Sequence, residues 1–354
     1  MARPCLAAVG LLFVAYTTYA WADSPVQDIA RAPNPSTSEH WKKLEGSTAE
    51  LSTYIGSGSF YTSGYHDPYA SMALYLRPSY SLGTRYKLAL RARIYAEEEF
   101  TTPDTANGRR FYPYDPWVWL AADNIHTFER SKIRIGGLAR LILPLSYESR
   151  YQHMITALGV GPNVSREFEF GQVNDEKRKW TLRLTYAFIA YKYFQTSDFR
   201  GSGPNDTTGC LAPPSGAAPG ASAGQGPSSA ASDRCGGPAN ANFSLSNAVI
   251  ASLAHGKWSF GITLLVQNVF NHSIPSDVFT STNVVNTGRT DTTWGIISAG
   301  YELRPHLGLS AGISSLQPAL DSRYQNPRFP FFDFSGGANL NNYTSLFLGV
   351  NGTL

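Results

Sequence analysis

The chain has 354 residues, with 29 Lys and Arg against 26 Asp and Glu, and a formal net charge of +3; 42% of residues are hydrophobic and only 16% charged. With 19 Phe, 7 Trp, 20 Tyr and 32 Gly, it is too aromatic and apolar for a disordered charged tail protein, and without a dense basic run it is no nucleic-acid binder. The mean hydropathy of −0.22 and the lack of a long uncharged apolar stretch after residue 20 exclude a helical membrane protein.

Residues 1–22 carry one positive charge at Arg3, a short apolar run from Leu6 to Tyr16, and Ala20-Trp21-Ala22 before Asp23. This order reads as a secretory signal peptide cleaved after Ala22, because the run is too short to cross a bilayer comfortably. The mature protein is then exported. Residues 23–49 read as a tail, with a short helix over His40–Leu44.

From residue 50 to 354 the pattern has period two. In Arg85–Glu97, Tyr86, Leu88, Leu90, Ala92 and Ile94 fall on one face, and Lys87, Arg91 and Arg93 on the other. Met72, Leu74 and Leu76 oppose Tyr75 and Arg77. Further on, Ile133, Ile135, Ala139 and Leu141 oppose Lys132, Arg134 and Arg140, and Trp180, Leu182, Leu184 and Tyr186 oppose Thr181, Arg183 and Thr185. Trp258–Gln267, Leu307–Ser314 and Thr344–Leu354 repeat the alternation. Weaker runs are the Gly/Ser-rich Leu51–Tyr61, Pro116–Ala122, which is apolar on both faces, Phe243–Leu253, where Asn247 is out of place, and Thr292–Tyr301, which could take either phase. Ile155–Phe170 contains Gly161-Pro162, which predicts a bulge or break.

These runs make twelve candidate strands, several near the ~9–11 residues a tilted strand needs to span a bilayer. The connections alternate too. Short turns such as Gly83-Thr84 and His255-Gly256 are separated by long loops such as Glu98–Asp115, Gln195–Ala241, Asn271–Asp291 and Gln317–Asn341. Transmembrane barrels show this asymmetry, and an even strand count puts both termini on the short-turn side. A soluble sandwich or lipocalin-like barrel also alternates. Strand length, loop asymmetry and the aromatics Tyr86, Trp180, Trp258 and Trp294 near strand ends favour the membrane barrel. The fold class expected is all-β: a single antiparallel transmembrane β-barrel of about 12 strands.

Cys210 and Cys235 lie in one Gly-, Ala-, Ser- and Pro-rich stretch, residues 201–241. Such composition cannot build a core, so a mobile outer loop is expected. An oxidising compartment favours a disulfide between the two. Without a nearby histidine they make a poor zinc site.

In its signal peptide, strands and ending, the chain resembles a Gram-negative outer-membrane β-barrel protein of the porin-like kind. Leu346, Leu348, Val350 and Leu354 keep the alternation of that family's last strand, which the barrel-assembly machinery reads, although the final residue is Leu rather than an aromatic and Gly352 replaces a usual large residue. The resemblance implies an outer-membrane location, short periplasmic turns, a periplasmic tail over residues 23–49, a barrel over residues 50–354, and outer-membrane lipids as surroundings.

The inner faces would then carry Arg77, Lys87, Arg91, Arg93, Lys132, Arg134, Arg140 and Arg183, with Glu97, Glu167 and Glu169 as fewer acidic partners. Arginines in a narrow aqueous pore favour anions, so the expected function is passive diffusion of small polar or anionic solutes. A lumen filled by interlocked side chains remains the alternative, with a surface interaction, adhesive or structural role. Arg328, Phe329, Phe331 and Phe332 form an aromatic loop segment that could fold inward as a constriction or cap the rim. Tyr112, Tyr114, Trp117 and Trp119 could stack sugars at the mouth, though a girdle with loop packing is the plainer reading. Glu97-Glu98-Glu99 suggests a solvated loop base balanced by Arg109 and Arg110 more than a calcium site. Among His40, His66, His126, His153, His255, His272 and His306, His66-Asp67 and His153 fall in outer loops, but no nucleophile–base pairing stands out. No catalytic residue, metal or cofactor is expected.

Overall fold

Extended backbone leaves N–H and C=O groups pointing sideways, and a bilayer tolerates strands only when every edge is paired. In the computed structural model of the chain the alternating runs pair until no edge remains. The structure describes residues 43–44, 46–60, 68–83, 86–101, 110–171, 179–198, 235–236, 239–273, 279–280, 288–320, 326–332 and 344–353. The signal peptide, most of the tail, Cys210 and most of the low-complexity loop lie outside these residues.

Twelve strands circle the barrel: β1 (Thr48–Gly56), β2 (Ala70–Arg77, continued as Ser79–Gly83), β3 (Leu88–Glu99), β4 (Trp117–Phe128), β5 (Ile133–Ile142), β6 (Met154–Gly171), β7 (Lys179–Gln195), β8 (Ala241–His255), β9 (Trp258–Asn271), β10 (Arg289–Arg304), β11 (Leu307–Pro318) and β12 (Thr344–Thr353). Each pairs antiparallel with its neighbours in chain order, and β12 pairs with β1, closing the sheet. Pro78 interrupts β2 because it has no N–H to give, yet its carbonyl still accepts from Ala92 N at 2.9 Å. Outside the ring, Arg110–Pro113 extends the pairing of β3, and Cys235–Gly236 pairs with Phe279–Thr280.

The break expected at Gly161-Pro162 does not occur. Val160 opposes Ala190 and Asn163 opposes Ala187 in one unshifted register. Proline forfeits one ladder bond, but Gly161 lets the neighbouring strand come close: a Cβ there would overlap Phe188 O and lie 2.8 Å from Ile189 Cα. The missing side chain keeps β6 continuous beside the proline.

The two faces differ as the alternation demands. Leu51, Leu74, Leu90, Ile94, Leu120, Leu158, Val160, Leu184, Val249, Ile262, Leu348 and Val350 all point outward and are exposed. A soluble protein does not leave so large an apolar surface to water, whereas a bilayer covers it. Exposed rings fringe both rims: Tyr80, Tyr86, Phe128, Phe170 and Trp258 toward the short turns, Phe60, Phe111, Tyr147 and Phe243 toward the long loops. Asn247 does face outward, and Tyr186 Oη donates to its Oδ1 at 2.7 Å, which satisfies the amide oxygen beside the lipid. Trp294 is a correction. It points inward, 7% exposed, with its indole N–H on Ser314 Oγ at 2.7 Å. Among the described residues no helix is long and apolar enough to cross a membrane.

Candidate functional site

Closure turns the second face of every strand toward one lumen, so inward charges from distant sequence positions become neighbours. Near the short-turn end they pair. Arg77 lies 3.5 Å from Glu50 on β1, Arg91 makes a two-pronged contact with Asp123 on β4, and Arg134 lies 3.3 Å from Glu167 on β6. Arg183 stands opposite Glu167 in the β6–β7 register. Lys87 and Lys132 are not on strand faces. Both are exposed turn residues with φ of 47° and 54°, a backbone that ends the strand before the side chain can be aimed inward.

Glu50 and Asp123 were not counted from sequence as inward acids. Each lies one residue beyond a weaker candidate strand, and extending Leu51–Tyr61 and Pro116–Ala122 by one position would have found them. Their presence tempers the positive wall, because a paired guanidinium projects a weaker field than a lone one.

Higher in the lumen, the arginines meet rings. The guanidinium carbon of Arg93 is 4.5 Å from the Trp117 ring, 5.2 Å from Tyr95 and 5.6 Å from Tyr75. That of Arg140 is 4.4 Å from the same indole and 5.0 Å from Trp119. Arg140 also donates to Tyr191 Oη at 3.0 Å. Planar, weakly hydrated guanidinium suits such stacking better than an ammonium would. Trp117 and Trp119 are 1% and 6% exposed, so they are neither a platform at the mouth nor part of a girdle. They belong to an apolar belt on the inner wall that continues through Ile142, Tyr191, Leu265, Trp294 and Leu316. Pro116–Ala122 looked apolar on both faces because one face meets lipid and the other enters this belt.

Beside Arg93 stands a tyrosine column. Tyr75, Tyr95 and Tyr114 stack at 4.3 and 4.2 Å between centroids. Glu97, 4% exposed, accepts hydrogen bonds from Tyr95 Oη at 2.6 Å, Tyr114 Oη at 3.1 Å and Tyr69 Oη. The reading of Glu97-Glu98-Glu99 as a solvated loop base is therefore corrected: all three are in β3, and Glu97 and Glu99 are buried inside. Tyr69, Tyr75 and Tyr95, together with Trp294, Ser314 and Leu316, line a small cavity of about 20 Å³.

The segment carrying Arg328, Phe329, Phe331 and Phe332 does not fold into the lumen. It passes over the outward side of β10–β12. Gln317 and Gly295 both lie on outward-facing positions. Gln317, 1% exposed, donates its Nε2 to Phe329 O, and a Cβ on Gly295 would overlap Pro330 O and lie 2.8 Å from Phe331 Cα. Arg328 N and Nε hold Ala319 O and Leu320 O at 2.9 and 3.2 Å. Beside the strap the outward polar residues Thr293, Ser315 and Thr344 are buried, at 8%, 0% and 1% exposure, while Phe329 and Phe332 are exposed. Polar side chains facing lipid need such cover. Gly295→Val should lift the strap while leaving the barrel closed. Chymotrypsin should then cut after Phe329 or Phe332 at least about tenfold faster than in the parent, since protection follows local opening, while heat-modifiable gel mobility stays unchanged.

The described histidines sit apart from these features. His255 stacks on Trp180 at 4.1 Å, His126 packs edge-on to Phe128 in β4, and His153 and His306 are residues of positive φ. His272 Nδ1 lies 3.1 Å from Asp198 Oδ1 near the long loops. Among the described residues no group of three or more His, Cys, Asp or Glu could hold a metal ion.

No protein-family model matches the chain, and no characterised protein matches it in sequence. Solved structures similar to it are outer-membrane β-barrels. An outer membrane channel from Pseudomonas putida F1 is 13% identical, covering 91% of this chain and 100% of that one, with a TM-score of 0.45. The β domain of the Bordetella autotransporter BrkA is 10% identical over 88% and 100%, with a TM-score of 0.36. Outer membrane phospholipase A from Escherichia coli is 10% identical over 89% and 96%, with a TM-score of 0.31.

Proposed function

We propose that this chain is an outer-membrane pore through which small polar or anionic solutes diffuse passively. The observation that carries the reading is the contrast of faces: an exposed leucine-rich belt outside a closed ring of strands, and arginines, serines and threonines inside. Lipid explains the first, and an aqueous or solute-filled path explains the second. The lower arginines are paired with Glu50, Asp123 and Glu167, so they contribute little selectivity. Higher in the lumen, Arg93 and Arg140 gather their guanidiniums against one indole, and positive charge there would favour anions.

The test is conductance of the refolded protein in planar bilayers under a salt gradient. A reversal potential favouring anions is expected, moving toward zero in Arg93→Gln and Arg140→Gln. Cation preference would remove the anionic part of the reading. The second reading is a barrel that does not conduct. The tyrosine column locked onto Glu97 favours it, and a flat current trace with a correctly folded barrel would select it.

A further inference from the structure

A strand face turned toward lipid seldom carries a charge, because no water is there to solvate it. Arg166 of β6 is an exception. It opposes Ile133 of β5 on one side and Leu184 of β7 on the other, both on the outward apolar face. Its guanidinium carbon is 4.5 Å from the Phe168 ring. The side chain is exposed, and among the described residues it makes no ion pair or hydrogen bond. The acids of its own strand do not serve it: Glu167 and Glu169 alternate to the inner face, where Arg134 and Lys179 hold them.

Its height in the barrel follows from the register. Ile133 is the first residue of β5, so Arg166 stands beside the short β4–β5 turn at residues 129–132, while β6 runs on to Gly171. This is the edge of the apolar belt, where Phe128 and Phe170 are exposed. Arg130 and Lys132, both exposed, add two cations in that turn, with Glu129 as its acid. Lys132 directly precedes the residue that Arg166 opposes. A guanidinium at that depth keeps its charge at least cost when a counter-ion comes to it, and its fork matches two oxygens of a phosphate. We infer that Arg166, with Arg130 and Lys132, holds the headgroup phosphate of an anionic phospholipid in the leaflet at the short-turn side, with acyl chains lying on Ile133, Phe168 and Leu184. The surplus of cations selects a net-negative lipid over a zwitterionic one, and the apolar flank selects a lipid over a soluble acidic partner. The inference rests on the outward face meeting lipid and needs no open pore.

Phosphatidylglycerol is the probe and phosphatidylcholine the zwitterionic control. Each is titrated onto the full refolded chain in detergent, and bound adducts are counted by native mass spectrometry. Phosphatidylglycerol should bind about tenfold more tightly or better, and Arg166→Gln should erase that preference. Lys132→Gln should weaken the anionic lipid about fivefold, the effect of one basic residue at an anionic surface. Lys257→Gln, which takes the same charge from the β8–β9 turn, should change nothing. Heat-modifiable mobility checks that each variant folds; if Arg166→Gln does not, the double variant Arg130→Gln and Lys132→Gln carries the test in its place. Equal binding of the two lipids, a full preference kept in the variant that carries the test, or an equal loss in Lys257→Gln would overturn the site while the membrane barrel stands. Displacement of the lipid by inorganic phosphate or by poly-glutamate would overturn it too, and reassign the cations to a free anion or to an acidic protein. A chain that stays soluble without detergent would instead refute the lipid-facing surface itself, and the inference with it.

Discussion

Gly161→Val should strongly destabilise the folded barrel. The added Cβ would overlap the carbonyl oxygen of Phe188 and sit 2.8 Å from Ile189 Cα, and both are backbone atoms of a paired strand. Neither can turn aside as a side chain could. Separating β6 from β7 at that level would break the ladder on both sides of Pro162, where one bond is already missing. Overpacking in a close-packed site costs about 1–3 kcal/mol and more when backbone must move; a loss of about 3 kcal/mol or greater is expected. The matched control is Gly83→Ala, where a new Cβ meets nothing within 4 Å. Urea titration of both variants in detergent micelles checks the pair, and equal midpoints would refute the close-approach account.

A second large effect is expected at Glu97. Replacement by Ala would strand the hydroxyls of Tyr95, Tyr114 and Tyr69 and remove a negative charge from the neighbourhood of Arg93. Each hydrogen bond to a charged group is worth about 1.5–3 kcal/mol, and these are cooperative, so a destabilisation of about 3 kcal/mol or more is predicted. Glu97→Gln keeps an acceptor oxygen and should lose less than half as much. If the lumen conducts, Glu97→Ala should also raise conductance, because the tyrosine column loses what fixes it. Urea midpoints and single-channel currents of the same preparations measure the two effects together.

Much of the architecture could be read from side-chain order alone. The alternation in Arg85–Glu97 assigned Leu90 and Ile94 to one face and Arg91 and Arg93 to the other, and those faces are observed, because a strand's period of two leaves no freedom in the choice. The alternation of short turns and long loops likewise implied consecutive antiparallel pairing. Errors cluster where a second contact overrides the local pattern. Gly161-Pro162 reads as a break until the close approach of Phe188 is known, and Trp294 reads as a girdle residue until its partner Ser314 appears across the inner wall.

The sequence by itself determined that the chain is all-β and which side of most strands is apolar, since both follow from residue order within a single strand. Tertiary structure alone decided that Glu50 meets Arg77, that Asp123 meets Arg91, and that three tyrosines converge on Glu97. These pairs depend on strand stagger around a closed ring, which no local pattern encodes. Closure also sent the Phe329 segment outside instead of in, because Gln317 and Gly295 offered it a polar, shallow seat on the outward wall that only the assembled β10–β12 surface presents.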